Sequence, residues 1–182
     1  MKKVCGVGIN DIKNSNKQKF KRVWASMLER AYSTIWASKH PTYNNVTVCD
    51  DWHVLSSFKT WFDMHYVDGW QLDKDLIDPD SKIYSPETCA FVPQYLNKLE
   101  TDSAGIRGEY PKGVHFHKKA QKYKAQITVD NKPVHLGLFD TVDDAHDAYQ
   151  IAKSEHVLNV VIPRAIADGV DSRVIESLRS RY

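Results

Sequence analysis

Cysteine is scarce, with only three in 182 residues, at positions 5, 49 and 89. Three thiols cannot build a disulfide scaffold, and they suit a reducing, cytoplasmic setting better than an oxidising one. Long apolar runs are missing too, so no transmembrane helix is expected. The opening MKKVCGVGINDIKNSNK starts basic but lacks the apolar stretch of a signal peptide, so secretion is not expected. There is no internal repeat and no low-complexity tract. Net charge is also small, at +2, while 42% of residues are apolar and 26% charged. That balance excludes a disordered tail and allows a buried core, in one ordinary domain or two small ones.

The small net charge hides opposing blocks. Residues 13–39 hold Lys13, Lys17, Lys19, Lys21, Arg22, Arg30 and Lys39 against Glu29 alone. Residues 50–80 hold eight aspartates against Lys59 and Lys74. Residues 107–124 hold Arg107 and five lysines against Glu109. Two basic blocks around an acidic one fit an anionic partner gripped on either side of a carboxylate-bearing centre. The plainer reading is that these charges only solvate helix faces.

Apolar periodicity predicts a helix over 17–37, with Phe20, Val23, Trp24, Met27, Leu28, Ala31 and Ile35 on one face and Ser15 or Asn16 as cap. Val46–Val48 reads as a short strand. Asp50 or Asp51 is expected to cap a second helix carrying Leu55, Phe58, Trp61, Phe62 and His65, ended by Asp68-Gly69. Short strands follow at Gln71–Asp73 and around Cys89–Val92, separated by a polar loop, and then a helix opening at Pro93. A glycine-bearing linker is placed at 101–109, between a domain of residues 1–100 and one of 110–182. In the latter, Tyr123, Ala125, Ile127 and Val129 alternate with Lys122, Lys124, Gln126 and Thr128 as on a half-buried strand. Asn131-Lys132-Pro133 is expected to turn the chain into a strand over 134–139. Thr141 to Asp144 reads as a capping box for a helix with Ala145, Ala148, Tyr149 and Ala152 inward. Pro163 and Gly169 are expected to punctuate the chain before a last helix near 172–180. The fold class expected is α+β.

The C-terminal motifs carry a resemblance. Tyr110-Pro-Lys-Gly113-Val114, Lys122-Tyr-Lys-Ala-Gln-Ile127, His135-Leu-Gly-Leu-Phe-Asp-Thr141, Asp144-Ala145 and Ala148-Tyr149 resemble, over about 110–155, the plant ethylene-response-factor (Apetala-type) DNA-binding domain. The resemblance implies a three-stranded antiparallel sheet with one face on a helix and the other in the major groove of double-stranded DNA. Tyr123, Ala125, Ile127 and Leu136 would then face the helix. The DNA side would carry Lys112, His115, His117, Lys119, Lys122, Lys124, Gln126, Thr128 and His135. Where the family has several arginines and tryptophans, this chain has Lys112, His115, Gln126, Thr128 and His135. Lysine meets phosphate as a point charge without arginine's bidentate fork, so weaker and less base-specific binding is expected.

Residues 20–100 resemble phage homing endonucleases of the HNH type. The carrying residues are Trp24, Met27, Arg30-Ala-Tyr32, Val48-Cys-Asp-Asp-Trp52, Phe58, Trp61-Phe62, Leu72-Asp73-Lys74-Asp75, Tyr84-Ser-Pro-Glu-Thr-Cys89 and Asn97. The resemblance implies a ββα-metal unit holding one Mg2+ or Mn2+, with a histidine as general base. Carried over residue by residue, Asp73 falls at the metal carboxylate and Asn97 near the helical metal ligand. Asp75 could be a second carboxylate, and Lys74 falls where the family has its histidine. A lysine is protonated at neutral pH unless deeply buried, so it is a poor base; His53 or His65 would have to serve, or the unit is degenerate and kept for DNA binding. Thr88-Cys89 also stands where many relatives have Asn-Cys. The competing reading of Asp73, Lys74 and Asp75 is a local ion-pair cluster. Cys49, His53 and Cys89 approach zinc-ligand spacing, but there is no Cys-x2-Cys pair and zinc is not expected. The sequence therefore predicts a phage-type DNA-binding protein, cleaving or degenerate, working in the host bacterial cytoplasm. The alternative is a non-catalytic effector that binds a host protein through the same scaffold.

Overall fold

The computed structural model describes residues 3–13, 17–40, 44–100 and 109–182 of an α+β chain. It divides into two units, residues 1–99 with 170–177 and residues 100–169 with 178–182. The last helix was expected wholly in the second part, but residues 170–177 group with the first. Most of the expected 101–109 linker, and both candidate caps Ser15 and Asn16, lie outside the described residues.

In the first unit the expected single helix is two. Helix α1 (Lys19–Tyr32) ends at Ser33, whose Oγ accepts the Trp36 N–H at 3.3 Å and starts α2 (Thr34–Lys39). A serine with extended backbone that can serve a new N-terminus wins over continuing the old helix. Ile35 is consequently 70% exposed rather than in the apolar face. Nor does an aspartate cap the next helix. Asp50–His53 make one 3-10 turn, and α3 (Leu55–His65) follows with Val54 at its N-cap. Valine has no acceptor to offer, and the open donors are met from far away in sequence. Asp11 Oδ1 accepts the Ser56 N–H at 3.0 Å, and the Ile9 carbonyl accepts the Leu55 N–H at 3.0 Å. This arm lies tight on α1, because a Cβ on Gly8 would stand 2.4 Å from Leu28 Cδ1.

Aromatic rings fill the space between α1 and α3. Trp24, Trp52 and Phe58 are buried, with Trp61, Phe62 and Phe91 around them. Trp52 meets Phe58 edge-on at 5.2 Å and Trp61 at 4.8 Å, and Trp24 Nε1 donates to the Trp52 carbonyl at 2.6 Å. Each such ring contributes roughly 1.5–3 kcal/mol by burial. Short strands frame the core. Strand β1 (Thr47–Val48) runs parallel to β3 (Ile83–Tyr84), a pairing too short to leave an alternation signal. Strand β2 (Gln71–Asp73) runs antiparallel to β4 (Ala90–Val92), with Asp73 opposite Ala90, and α4 (Gln94–Glu100) follows Pro93. In residues 170–177, Arg173 Nη1 donates to the Pro86 and Glu87 carbonyls at 3.0 and 2.9 Å and its Nη2 meets Asp171 at 2.7 Å.

The second unit is an antiparallel sheet in the order β5 (Val114–His117), β6 (Lys122–Val129), β7 (Lys132–Phe139), with α5 (Val142–His156) against one face. Val114, Ala125 and Ala145 centre its small core, with Tyr110, Tyr123, Leu136 and Phe139 packed around. The β6–β7 turn is tighter than expected. Asp130 and Asn131 sit at φ +50° and +61°, the two-residue turn that matches strand twist, and Lys132 and Pro133 are already strand. Pro133 is tolerated because β7 is an edge strand. Thr141 caps α5 as expected, its Oγ1 accepting the Asp144 N–H at 3.1 Å. Gly113 sits at φ +85°, and a Cβ there would lie 2.1 Å from the Tyr149 ring. Pro163 does not interrupt the helix as expected. A π-helical turn, Val157–Val161, leads into α6 (Ile162–Ala167), and its wider ladder accommodates a residue with no N–H. Helix α7 (Ser172–Arg181) closes the chain, with Val174, Ile175 and Leu178 buried. Among the described residues no helix is long and apolar enough to cross a membrane.

Candidate nucleic-acid interface

Residues directly opposite on paired strands share a face of the sheet. His115 stands opposite Lys124, and His117 opposite Lys122. Lys124 in turn pairs with Leu138, Gln126 with His135, and Thr128 with Pro133. The polar candidates therefore line one side, while Val114, Ala125 and Ala145 fill the other. A register shift between Ala125 and Gln126 is what lets Leu136 join the core and His135 point away from it.

His115, His117, Lys119, Thr128 and His135 are exposed, and Lys112, Lys122, Lys124 and Gln126 are half-buried. Lys119 lies in the turn between β5 and β6, closed by Gln121 at φ +51°. Lys112 lies in the turn that leads into β5. Among the described residues a carboxylate meets this side at Asp140, 3.0 Å from Lys122 Nζ. Asp140 is largely open to water and Lys122 partly so, which leaves the pair easily exchanged for another anion. Leu138, 40% exposed, is an apolar spot beside Lys124.

The acidic block of the first unit works differently. Asp73 Oδ1 accepts the N–H groups of Asp75 and Leu76, both at 2.8 Å, and so builds the turn after β2. Burial pushes its carboxyl above the usual range, against the pull of those two donors. Lys74, 4% exposed, is held by Asp75 and by the Ser81 carbonyl at 3.2 Å, with the Tyr84 ring centred 5.9 Å away. Asp78 Oδ1 likewise accepts the Asp80 N–H at 3.1 Å. Much of this acidic block is thus turn chemistry.

Asn97 Nδ2 donates to Gln71 Oε1 at 2.7 Å, which ties α4 to β2. Gln71 and Asp73, two apart on a strand, share a side, so Asn97 comes to the strand that carries Asp73. Gln71 was not foreseen, because a lone exposed glutamine carries no sequence signal. Thr88 Oγ1 donates to the Ile83 carbonyl at 2.7 Å and accepts the Ser85 N–H at 3.2 Å, fixing the loop before β4. The two upstream imidazoles have other work. His53 Nε2 meets the Tyr32 hydroxyl at 2.9 Å, while His65 Nδ1 meets the Trp61 carbonyl at 2.7 Å and stacks on that ring. Cys89 is buried, which drives its thiol up to about 12, and Cys49 is half-buried and also raised by burial.

One oxygen of Asp73 is engaged by two backbone donors, Lys74 is buried beside Asp75, and among the described residues no three His, Cys, Asp or Glu side chains gather as a metal-holding group. No family model, no curated protein and no solved structure matches this chain.

Proposed function

We propose that the protein binds duplex DNA through the open side of the β5–β6–β7 sheet. The observation that carries this reading is the register that sets His115 beside Lys124 and His117 beside Lys122 on a polar face, opposite the helix-covered one. Such a face neutralises phosphates and presents donors to base edges. The resemblance of 110–155 to the Apetala-type domain supports the same partner.

The first unit is proposed as a degenerate relative of the phage HNH proteins. Its β2–β4–α4 order supports a ββα kinship, while the engagement of Asp73 and Lys74 supports binding without strand cleavage. On this reading Mg2+ or Mn2+ is not needed for binding, and the protein works on DNA in the bacterial cytoplasm.

The test is a salt titration of affinity for several unrelated duplexes, with a Lys122→Ala/Lys124→Ala variant alongside. Removing two phosphate-contacting lysines should lower the slope of log affinity against log salt by about 2, equally for every sequence. Unchanged affinity in the variant would take the sheet out of the interface. Supercoiled plasmid with Mg2+ or Mn2+ should stay intact; nicking abolished by Asp73→Ala would restore the nuclease reading. Absence of DNA binding under all conditions would turn attention to a host protein as the partner.

A further inference from the structure

The sheet face holds histidines where a permanently charged face would hold arginine or lysine. His115 and His135 are exposed, and neither makes a hydrogen bond or ion pair among the described residues. His117 differs, since its Nδ1 accepts the Ala120 N–H at 3.2 Å, which leaves only Nε2 to reach outward.

The surroundings of the two free imidazoles are cationic or neutral on their own side. His115 has Lys124 directly opposite, with Lys122 and Gln126 as its diagonal neighbours on β6. His135 has Gln126 opposite, with Lys124 and Thr128 diagonal to it. The nearby carboxylate, Asp140, is paired with Lys122. Helix α5 covers the other face through Ala145 and Tyr149, so its Asp143, Asp144, His146 and Asp147 belong to the far side of the sheet.

We infer that His115 and His135 are proton-dependent phosphate ligands, so that DNA binding on this face is coupled to proton uptake and tightens as the medium becomes mildly acidic. The inference rests on the DNA-binding reading above. An ordinary imidazole gains its proton near pH 6.5, and a phosphate at contact favours the charged form. Each imidazolium that replaces a condensed counterion adds about 0.9 to the salt slope on B-form DNA. Two such ligands make the slope steeper by about 2 on the acid side of that range.

The experiment uses the full chain and a rhodamine-labelled duplex, whose dye does not titrate here. Anisotropy is followed across a salt series at about pH 5.5 and about pH 7.5, either side of the imidazole range. The wild type should bind more tightly and with the steeper slope at the lower pH. A His115→Gln/His135→Gln variant should show nearly the same slope at both. Equal wild-type slopes at the two pH values, or a pH effect that survives in the double variant, would overturn the inference. If binding is lost in Lys122→Ala/Lys124→Ala yet indifferent to pH, only this inference falls. If the wild type shows no salt-sensitive binding at either pH, the DNA-binding reading falls with it.

Discussion

The two units spend their polar residues in opposite ways. In the first, aspartates close turns, Lys74 is buried against its neighbour, and Asn97 clasps Gln71. In the second, lysines and histidines stand on a sheet side with little internal demand on them. The cores differ as well. All five tryptophans lie before residue 71, inside the first unit, whereas Val114, Ala125 and Ala145 centre the second. Charge in a sequence therefore says little by itself; what matters is whether backbone donors and neighbouring ions have already claimed it.

Substitutions at three positions press on that contrast. The largest effect is expected from Phe58→Ala, which empties the middle of the aromatic cluster and should cost about 3–5 kcal/mol. Because tryptophan emission reports on the first unit alone, the loss should appear there while amide protection of β6 stays unchanged. Simultaneous loss of both signals would mean that the units unfold together. Next, Gly113→Ala meets the Tyr149 ring at a left-handed backbone position and should destabilise the sheet unit by about 1–3 kcal/mol. Its mark should be weaker DNA binding with an unaltered tryptophan transition.

The smallest effect concerns Asp73. Asp73→Ala forfeits two backbone hydrogen bonds and should cost about 1–2 kcal/mol in denaturant unfolding. Asp73→Asn keeps an acceptor oxygen and should cost nothing at neutral pH. The sign follows from the raised carboxyl. The stabilising contribution of this group is complete below its unfolded value of about 3.9 and is lost as pH rises through the higher folded value. The asparagine variant should therefore lose less stability than the wild type between pH 4 and neutrality, about one residue's worth of titration. A large loss for asparagine at neutral pH would contradict the turn role.

Legibility followed the range of the interactions. The alternation of β6 and the Thr141 cap were plain in the sequence because both depend on neighbours within a few positions. The same holds for the polar side of the sheet, since one strand's parity fixes its lysines. The break at Ser33 was hidden because the apolar spacing runs on through it to Ile35. Strand β3 and the Arg173 contacts were hidden because their partners lie far away in the chain. At Asp73, Lys74 and Asp75 the residue types left both a metal site and an ion-pair cluster open. Only geometry tells a carboxylate facing a cation from one turned toward its own backbone.

The arm that completes α3 has a consequence for handling the protein. Ile9 and Asp11 serve Leu55 and Ser56 across more than forty residues of chain. The helix bearing Phe58, Trp61 and Phe62 is thus latched by a segment that is made before it and must wait for it. Trimming those first residues, or burying them under a bulky fusion, would leave that latch undone and shorten the shelf life of a preparation whose folded half looks untouched in sequence.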